Sequence, residues 1–246
     1  MTKTCSICGT TTDDSSIFCD SCGSPIEEVK VEKQRPLDIS LGFASTSSKN
    51  LKKEDVFHVL DTKAFFGETK NHRVLCVMIK GLAEFVDAKT LTLDLMADFL
   101  RNKGKVDYSM HFSEIHNKLK TDYANYLSSD TSKQPVNGLL LGVIDGSNVN
   151  VLCVGSPAVL VLKNGSQEMT QYSEDEPIYE FKLEKNEQVL FSSDDLFNLI
   201  NESEVFDVVS KSDSPQKASE CLRSKISTNN PEAETFLLIA QMTEKC

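Results

Sequence analysis

The sequence predicts an α+β domain, with helices laid on antiparallel sheets, behind a small cysteine-rich module at the N-terminus. Three observations predict it. Eight short apolar segments, several joined by tight turns, read as strands. Two long amphipathic segments follow one another between the second and third of these strands, and another lies near the C-terminus. Four of the eight cysteines fall within the first 22 residues as two closely spaced pairs.

The strands are expected at 56–60, 74–79, 139–144, 148–154, 158–163, 179–183, 188–192 and 235–241. Asp145-Gly146 separates two of them, and because both residues tolerate positive φ the dipeptide marks a two-residue hairpin. Asn164-Gly165 marks another turn just after 158–163. Links this short favour antiparallel pairing, since a parallel pair needs a long crossover. The helices are expected at 88–102, with Leu91, Leu95, Phe99 and Leu100 on one face, at 113–126, with Ile115, Leu119 and Tyr123, and at 216–226. Strands, two consecutive helices, more strands and a last helix make an α+β order, in which helices cover sheet faces.

Cys5, Cys8, Cys19 and Cys22 form two Cys-x-x-Cys-Gly repeats. A two-residue spacer lets both thiolates of a pair reach one ion, and two pairs complete a closed tetrahedral site suited to Zn2+. Gly9 and Gly23 follow the second cysteine of each pair, where a tight knuckle needs positive φ. A redox pair would sit in a strand-to-helix unit, which the Thr10 to Ser16 stretch does not show. About 25 residues bury too little apolar area to fold alone, so the metal supplies most of the folding free energy. With four cysteine ligands no coordination position stays open, so the zinc is expected to be structural. The module is placed at 1–26, a charged, apolar-poor linker containing Pro36 at 27–38, and the large domain at 39–246.

Composition narrows the function. The chain of 246 residues is 39% hydrophobic, enough for one substantial core beside a small module. Its longest nearly uninterrupted apolar stretches, such as the six residues of 74–79 and of 139–144, fall far short of the roughly 20 needed to cross a bilayer. The N-terminus lacks the apolar run of a secretory signal, which points to an intracellular, cytoplasmic protein. A formal charge of −11, with 37 acidic and 26 basic side chains, repels phosphate backbones and anionic lipid. Asp13, Asp14 and Asp20 make the cysteine module itself acidic. Neither nucleic acid nor a membrane is an expected partner.

Five segments carry a family resemblance. Val74-Leu-Cys-Val-Met-Ile-Lys-Gly-Leu-Ala-Glu-Phe resembles the strand of the type 2C metal-dependent protein phosphatases (the PPM family) that ends in Asp-Gly-x-Gly-Gly-His. Asn148-Val-Asn-Val-Leu-Cys-Val-Gly-Ser-Pro-Ala-Val-Leu is similar to the strand leading into Val-Gly-Asp-Ser-Arg-Ala. Glu187-Gln-Val-Leu-Phe-Ser-Ser-Asp-Asp-Leu-Phe-Asn-Leu-Ile is similar to the strand ending in Ser-Asp-Gly-Leu-Trp-Asp. Glu232-Ala-Glu-Thr-Phe-Leu-Leu-Ile resembles the closing Asp-Asn-x-Thr strand, and Lys53-Glu-Asp the Asn-Glu-Asp near the domain start. Order and spacing agree over about residues 39 to 243.

The resemblance implies a four-layer α-β-β-α sandwich with a two-metal site at one end. It also implies hydrolysis of phosphoserine and phosphothreonine by a water held between two divalent ions, Mg2+ or Mn2+. Asp55 and Asp194 match ligand positions of the family, and Glu232 stands where it has aspartate. Lys80, however, stands at the aspartate that bridges both ions, and an ammonium has no lone pair to donate and repels a cation. Ala83, Glu84 and Phe85 replace the glycines and histidine that follow, and Ser156 replaces the aspartate of Val-Gly-Asp-Ser-Arg. Asn50 falls where the family has a phosphate-gripping arginine. Without the bridging carboxylate the clamp that activates water is lost.

Two function classes follow. One is a pseudophosphatase acting as a signalling, scaffold or partner-binding module whose partner is a protein, a phosphoprotein among the candidates. The other is a metal-dependent serine/threonine phosphatase with an unconventional site built from Asp55, Asp194 and Glu232. Other constellations carry less. Ser192, Ser193, Asp194 and Asp195 read as a strand-end turn, and Cys76 and Cys153 as buried inert thiols. His58, His72, His111 and His116 lack metal-ligand spacing and read as ordinary residues.

Overall fold

The structure is a computed structural model that describes residues 2–4, 9–13, 21, 37–46, 56–67, 72–80, 86–101, 106–129, 138–164, 169–171, 177–193 and 196–244. At residues 2–3, 12–13, 86–89, 126–129 and 169–171 it describes the backbone alone. The chain divides into two units, Met1–Arg35 and Pro36–Cys246.

In the first unit, β1 (Thr2–Thr4) and β2 (Thr11–Asp13) form an antiparallel hairpin with Thr4 opposite Thr11. Gly9, in the connection, has φ +74°, the conformation expected at the knuckle. Cys5, Cys8, Cys19 and Cys22 lie outside the described residues.

The second unit begins with β3 (Leu37–Ser45), β4 (Val56–Asp61), the short α1 (Thr62–Phe66) and β5 (Arg73–Lys80). Then come α2 (Val86–Arg101), α3 (Tyr108–Ser129), β6 (Gly138–Asp145), β7 (Asn148–Gly155) and β8 (Ala158–Leu162). The remainder is β9 (Met169–Gln171), β10 (Ile178–Lys182), β11 (Gln188–Ser192), α4 (Glu202–Lys211), α5 (Pro215–Asn229) and β12 (Phe236–Glu244). Two five-stranded antiparallel sheets result, in the orders β10-β7-β6-β5-β4 and β3-β12-β11-β8-β9.

The apolar runs place the layers. On β5, Val74, Cys76 and Met78 face the other sheet, where Val159, Val189, Phe191, Leu238 and Ala240 meet them. The alternate residues Leu75, Val77 and Ile79 face Leu95 and Phe99 of α2 and Phe112, Ile115 and Leu119 of α3. Leu190, Leu237 and Ile239 are covered by Val205 and Val209 of α4 and Leu222 and Ile226 of α5. Both faces of the central strands are therefore buried, which is why they read as unbroken apolar runs and not as alternation. The architecture is the expected four layers, α-β-β-α.

All eight expected strands and three expected helices occur, with shifted ends. Helix α3 starts at Tyr108 and not at 113, because the Asp107 carboxylate accepts from Ser109 Oγ at 2.7 Å and from the Met110 N–H at 3.3 Å. The Asp145-Gly146 hairpin forms, with Asp145 opposite Asn148 and Gly146 at φ +59°. Four of the second unit's labelled elements were not expected: β3, α1, β9 and α4. Strand β3 does carry a signal, apolar Leu37, Ile39, Leu41 and Phe43 at a period of two. Because it starts at Leu37, opposite Glu244, Leu37 and Asp38 of the expected linker are the first residues of the sandwich. Helix α4 has an Asn201 N-cap, Glu202 and Glu204 in its first turn and Lys211 in its last. Among the described residues no helix is long and apolar enough to cross a membrane.

Candidate functional site

Lys80 ends β5 opposite Gly138, and Gly138 lies opposite Gly155 at the end of β7, so the three form one row across the first sheet. Val56 begins β4 opposite Ile79. In the second sheet Ser192 ends β11 between Leu237 and Ala158. The two rows are one end of the sandwich, because Lys80 Nζ donates to the Glu234 carbonyl, just before β12, at 2.9 Å. Phe57 of β4 and Phe236 of β12 close the same end, stacked 4.9 Å apart with ring planes 8° from parallel.

Buried hydroxyls hold the segment before β12 in place. Thr46 Oγ1 donates to the Ala233 carbonyl at 2.6 Å and accepts the Thr235 N–H at 2.8 Å, while the Thr46 N–H donates to the Thr235 carbonyl at 2.9 Å. Ser193 Oγ accepts the Phe236 N–H, and the Ser193 N–H donates to the Phe236 carbonyl, both at 3.0 Å. Each hydroxyl satisfies a backbone group where the ladder ends, so Ser193 is a strand-end residue, as expected. Across the sheet end, Pro157 is seated on Gly138: a Cβ there would lie 2.2 Å from Pro157 Cδ. The turn before it puts Gly155 at φ +84° and leaves Ser156 exposed.

Of the expected metal positions, Asp55 and Asp194 lie outside the described residues, as do Asn50, Ala83, Glu84 and Phe85. Glu232 is exposed, in the turn leading to β12. Among the described residues no three His, Cys, Asp or Glu side chains come together in a way that can hold a metal ion. Where the resemblance places the bridging ligand of two ions, the described side chain is a lysine whose ammonium is engaged by a backbone carbonyl. The residue present there does not fit a divalent ion.

Sequence reasoning missed His72. It is buried at the opposite end of β5, with Nδ1 2.6 Å from Asp38 Oδ1 and Nε2 2.8 Å from Asp61 Oδ1. Each ring nitrogen therefore meets a carboxylate of its own, one on each side of the ring. Lys63 Nζ adds a donor to Asp38 Oδ2 at 2.6 Å. Burial alone raises the Asp38 carboxyl, but hydrogen bonds from Lys63, His72 and the Ile39 N–H outweigh it and hold the group at about 2. The cluster ties β3 of one sheet to β4 and β5 of the other. No spacing rule finds it, because its members are 11 and 34 residues apart. Cys76 is fully buried, which pushes its thiol far up and makes it inert, as expected.

No protein-family model and no curated protein matches the sequence. Solved structures match the fold. The phosphatase domain of the cell-fate determinant SpoIIE from Bacillus subtilis is 15% identical with a TM-score of 0.53, over 86% of this chain and 95% of that one. The catalytic domain of the serine/threonine phosphatase PstP, solved with two manganese ions, is 12% identical with a TM-score of 0.54, over 85% and 99%. A bacterial serine phosphatase variant is 14% identical with a TM-score of 0.57, over 84% and 99%. The likeness defines a class of architecture: the chain has the PP2C-type phosphatase fold. At these identities it defines the fold alone.

Proposed function

We propose that this chain is a pseudophosphatase: a PP2C-like domain without phosphatase chemistry, joined to a structural zinc ribbon and acting as a cytoplasmic signalling or scaffold module. One observation carries the reading. The side chain at the end of β5, where the resemblance requires a carboxylate shared by two ions, is Lys80, and its ammonium donates to the Glu234 carbonyl. A positive charge there opposes Mg2+ or Mn2+ and leaves no clamp for the attacking water. The partner is a protein, and a phosphoprotein fits a fold whose active relatives bind phosphorylated side chains. For the ribbon, support comes from the two Cys-x-x-Cys-Gly repeats of Cys5, Cys8, Cys19 and Cys22 and from the positive φ of Gly9.

The test is turnover of a phosphoserine peptide and of p-nitrophenyl phosphate with millimolar Mn2+. The expected result is no hydrolysis above the buffer rate. Hydrolysis abolished by Asp194→Asn would overturn the reading in favour of a metal-dependent phosphatase using Asp55, Asp194 and Glu232.

A further inference from the structure

Lys80 does more than leave a ligand out. It is the last residue of β5 in the first sheet, and its Nζ reaches a carbonyl that precedes β12 in the second. The segment it grips is the one that Thr46 and Ser193 also hold. Acidic positions cluster in sequence around this meeting point. Asp55 precedes Val56, whose partner Ile79 is next to Lys80, and Asp194 follows Ser193, which bonds Phe236. Glu232 and Glu234 lie on the gripped segment itself.

We propose that the Lys80 ammonium is a built-in cation that ties the two sheets in the place that the resemblance gives to the divalent ions, so that the domain's stability is independent of divalent metal. This rests on the alignment of Lys80 with the bridging ligand that also underlies the pseudophosphatase reading. An ammonium suits the task because it presents three donors from one compact centre, on a stem long enough to cross between the sheets.

Calorimetric melting of the full chain, with and without millimolar Mn2+, tests it. The midpoint of the main transition of the unsubstituted protein is expected not to move with Mn2+. Lys80→Met keeps the length of the stem and removes the donors, and should lower the midpoint by about 5 °C whether or not metal is present. Lys80→Asp should melt lower still without metal and recover with Mn2+. An unchanged Lys80→Met midpoint overturns the tie, as does a rise in the unsubstituted protein on adding Mn2+. A Lys80→Asp protein indifferent to Mn2+ overturns the equivalence of place. If Lys80→Asp does not fold, the other two proteins still decide. Phosphatase turnover by the unsubstituted protein, with melts as expected, would defeat the pseudophosphatase reading and leave the tie standing.

Discussion

The side-chain amide of Gln216 lies along the backbone of Phe43: its Oε1 accepts the Phe43 N–H at 3.1 Å and its Nε2 donates to the Phe43 carbonyl at 3.3 Å. Glu220 holds the amide in place by accepting from the same Nε2 at 2.8 Å. Strand β3 is an edge strand, so Gln216 stands where a further strand would pair, beside a Phe43 ring that is 59% exposed. Gln216→Leu removes both bonds and leaves the edge open next to that ring. Concentration-dependent association in light scattering is expected, with stability within about 1 kcal/mol of the unsubstituted protein because the bonds are exposed. A strictly monomeric variant at high concentration would refute the capping role.

Close approach explains another feature of the same strand. A Cβ on Gly42 would lie 2.1 to 2.2 Å from backbone atoms of Pro215 and Gln216, so the start of α5 rests directly on that glycine. Backbone cannot swing aside as a side chain does. Gly42→Ala should cost about 3 kcal/mol in urea denaturation. Gly146→Ala makes the contrast: nothing lies within 4 Å and only φ +59° resists, so about 1 kcal/mol is expected. Equal costs would show that crowding at Gly42 is relieved elsewhere.

The carboxyl of Asp38 sets a limit on acid stability. Its folded value, about 2, lies below the ordinary 3.8, so the unfolded chain takes up the proton first as the pH falls. The contribution is fully present above about pH 4 and is lost as pH drops through about 2. The shift corresponds to about 2 kcal/mol, and with the side chain only 14% exposed solvent screening takes little of it away. Chemical denaturation across that window should show the unsubstituted protein losing about this amount. Asp38→Asn should be less stable at neutral pH and flatter in acid, and parallel pH profiles would refute the assignment.

Zinc analysis checks the N-terminal unit. The proposed ribbon requires one zinc per chain as purified. Cys19→Ser should release it and unfold roughly the first 25 residues without lowering the melting midpoint of the larger unit. Zinc-free protein, or zinc that survives the substitution unchanged, would remove the ribbon from the proposal.

Much of this fold was legible in the residues because its signals are local. The β5 and β6 runs, the Asp145-Gly146 turn and the stripe of Leu95 and Phe99 are set by side-chain chemistry within a few positions, and the structure keeps them. The position of Lys80 at the end of a strand was legible too, because the apolar run before it is unbroken. What the sequence could not determine is which distant segments meet. The pairing of β3 with β12 joins Leu37 to Glu244, Lys80 reaches a carbonyl 154 residues away, and His72 becomes the hub of two carboxylates only after the sheets stack. Period and propensity act within a turn or a strand, whereas partners across a sandwich are chosen by the simultaneous burial of both faces of each sheet, which exists only in the tertiary structure.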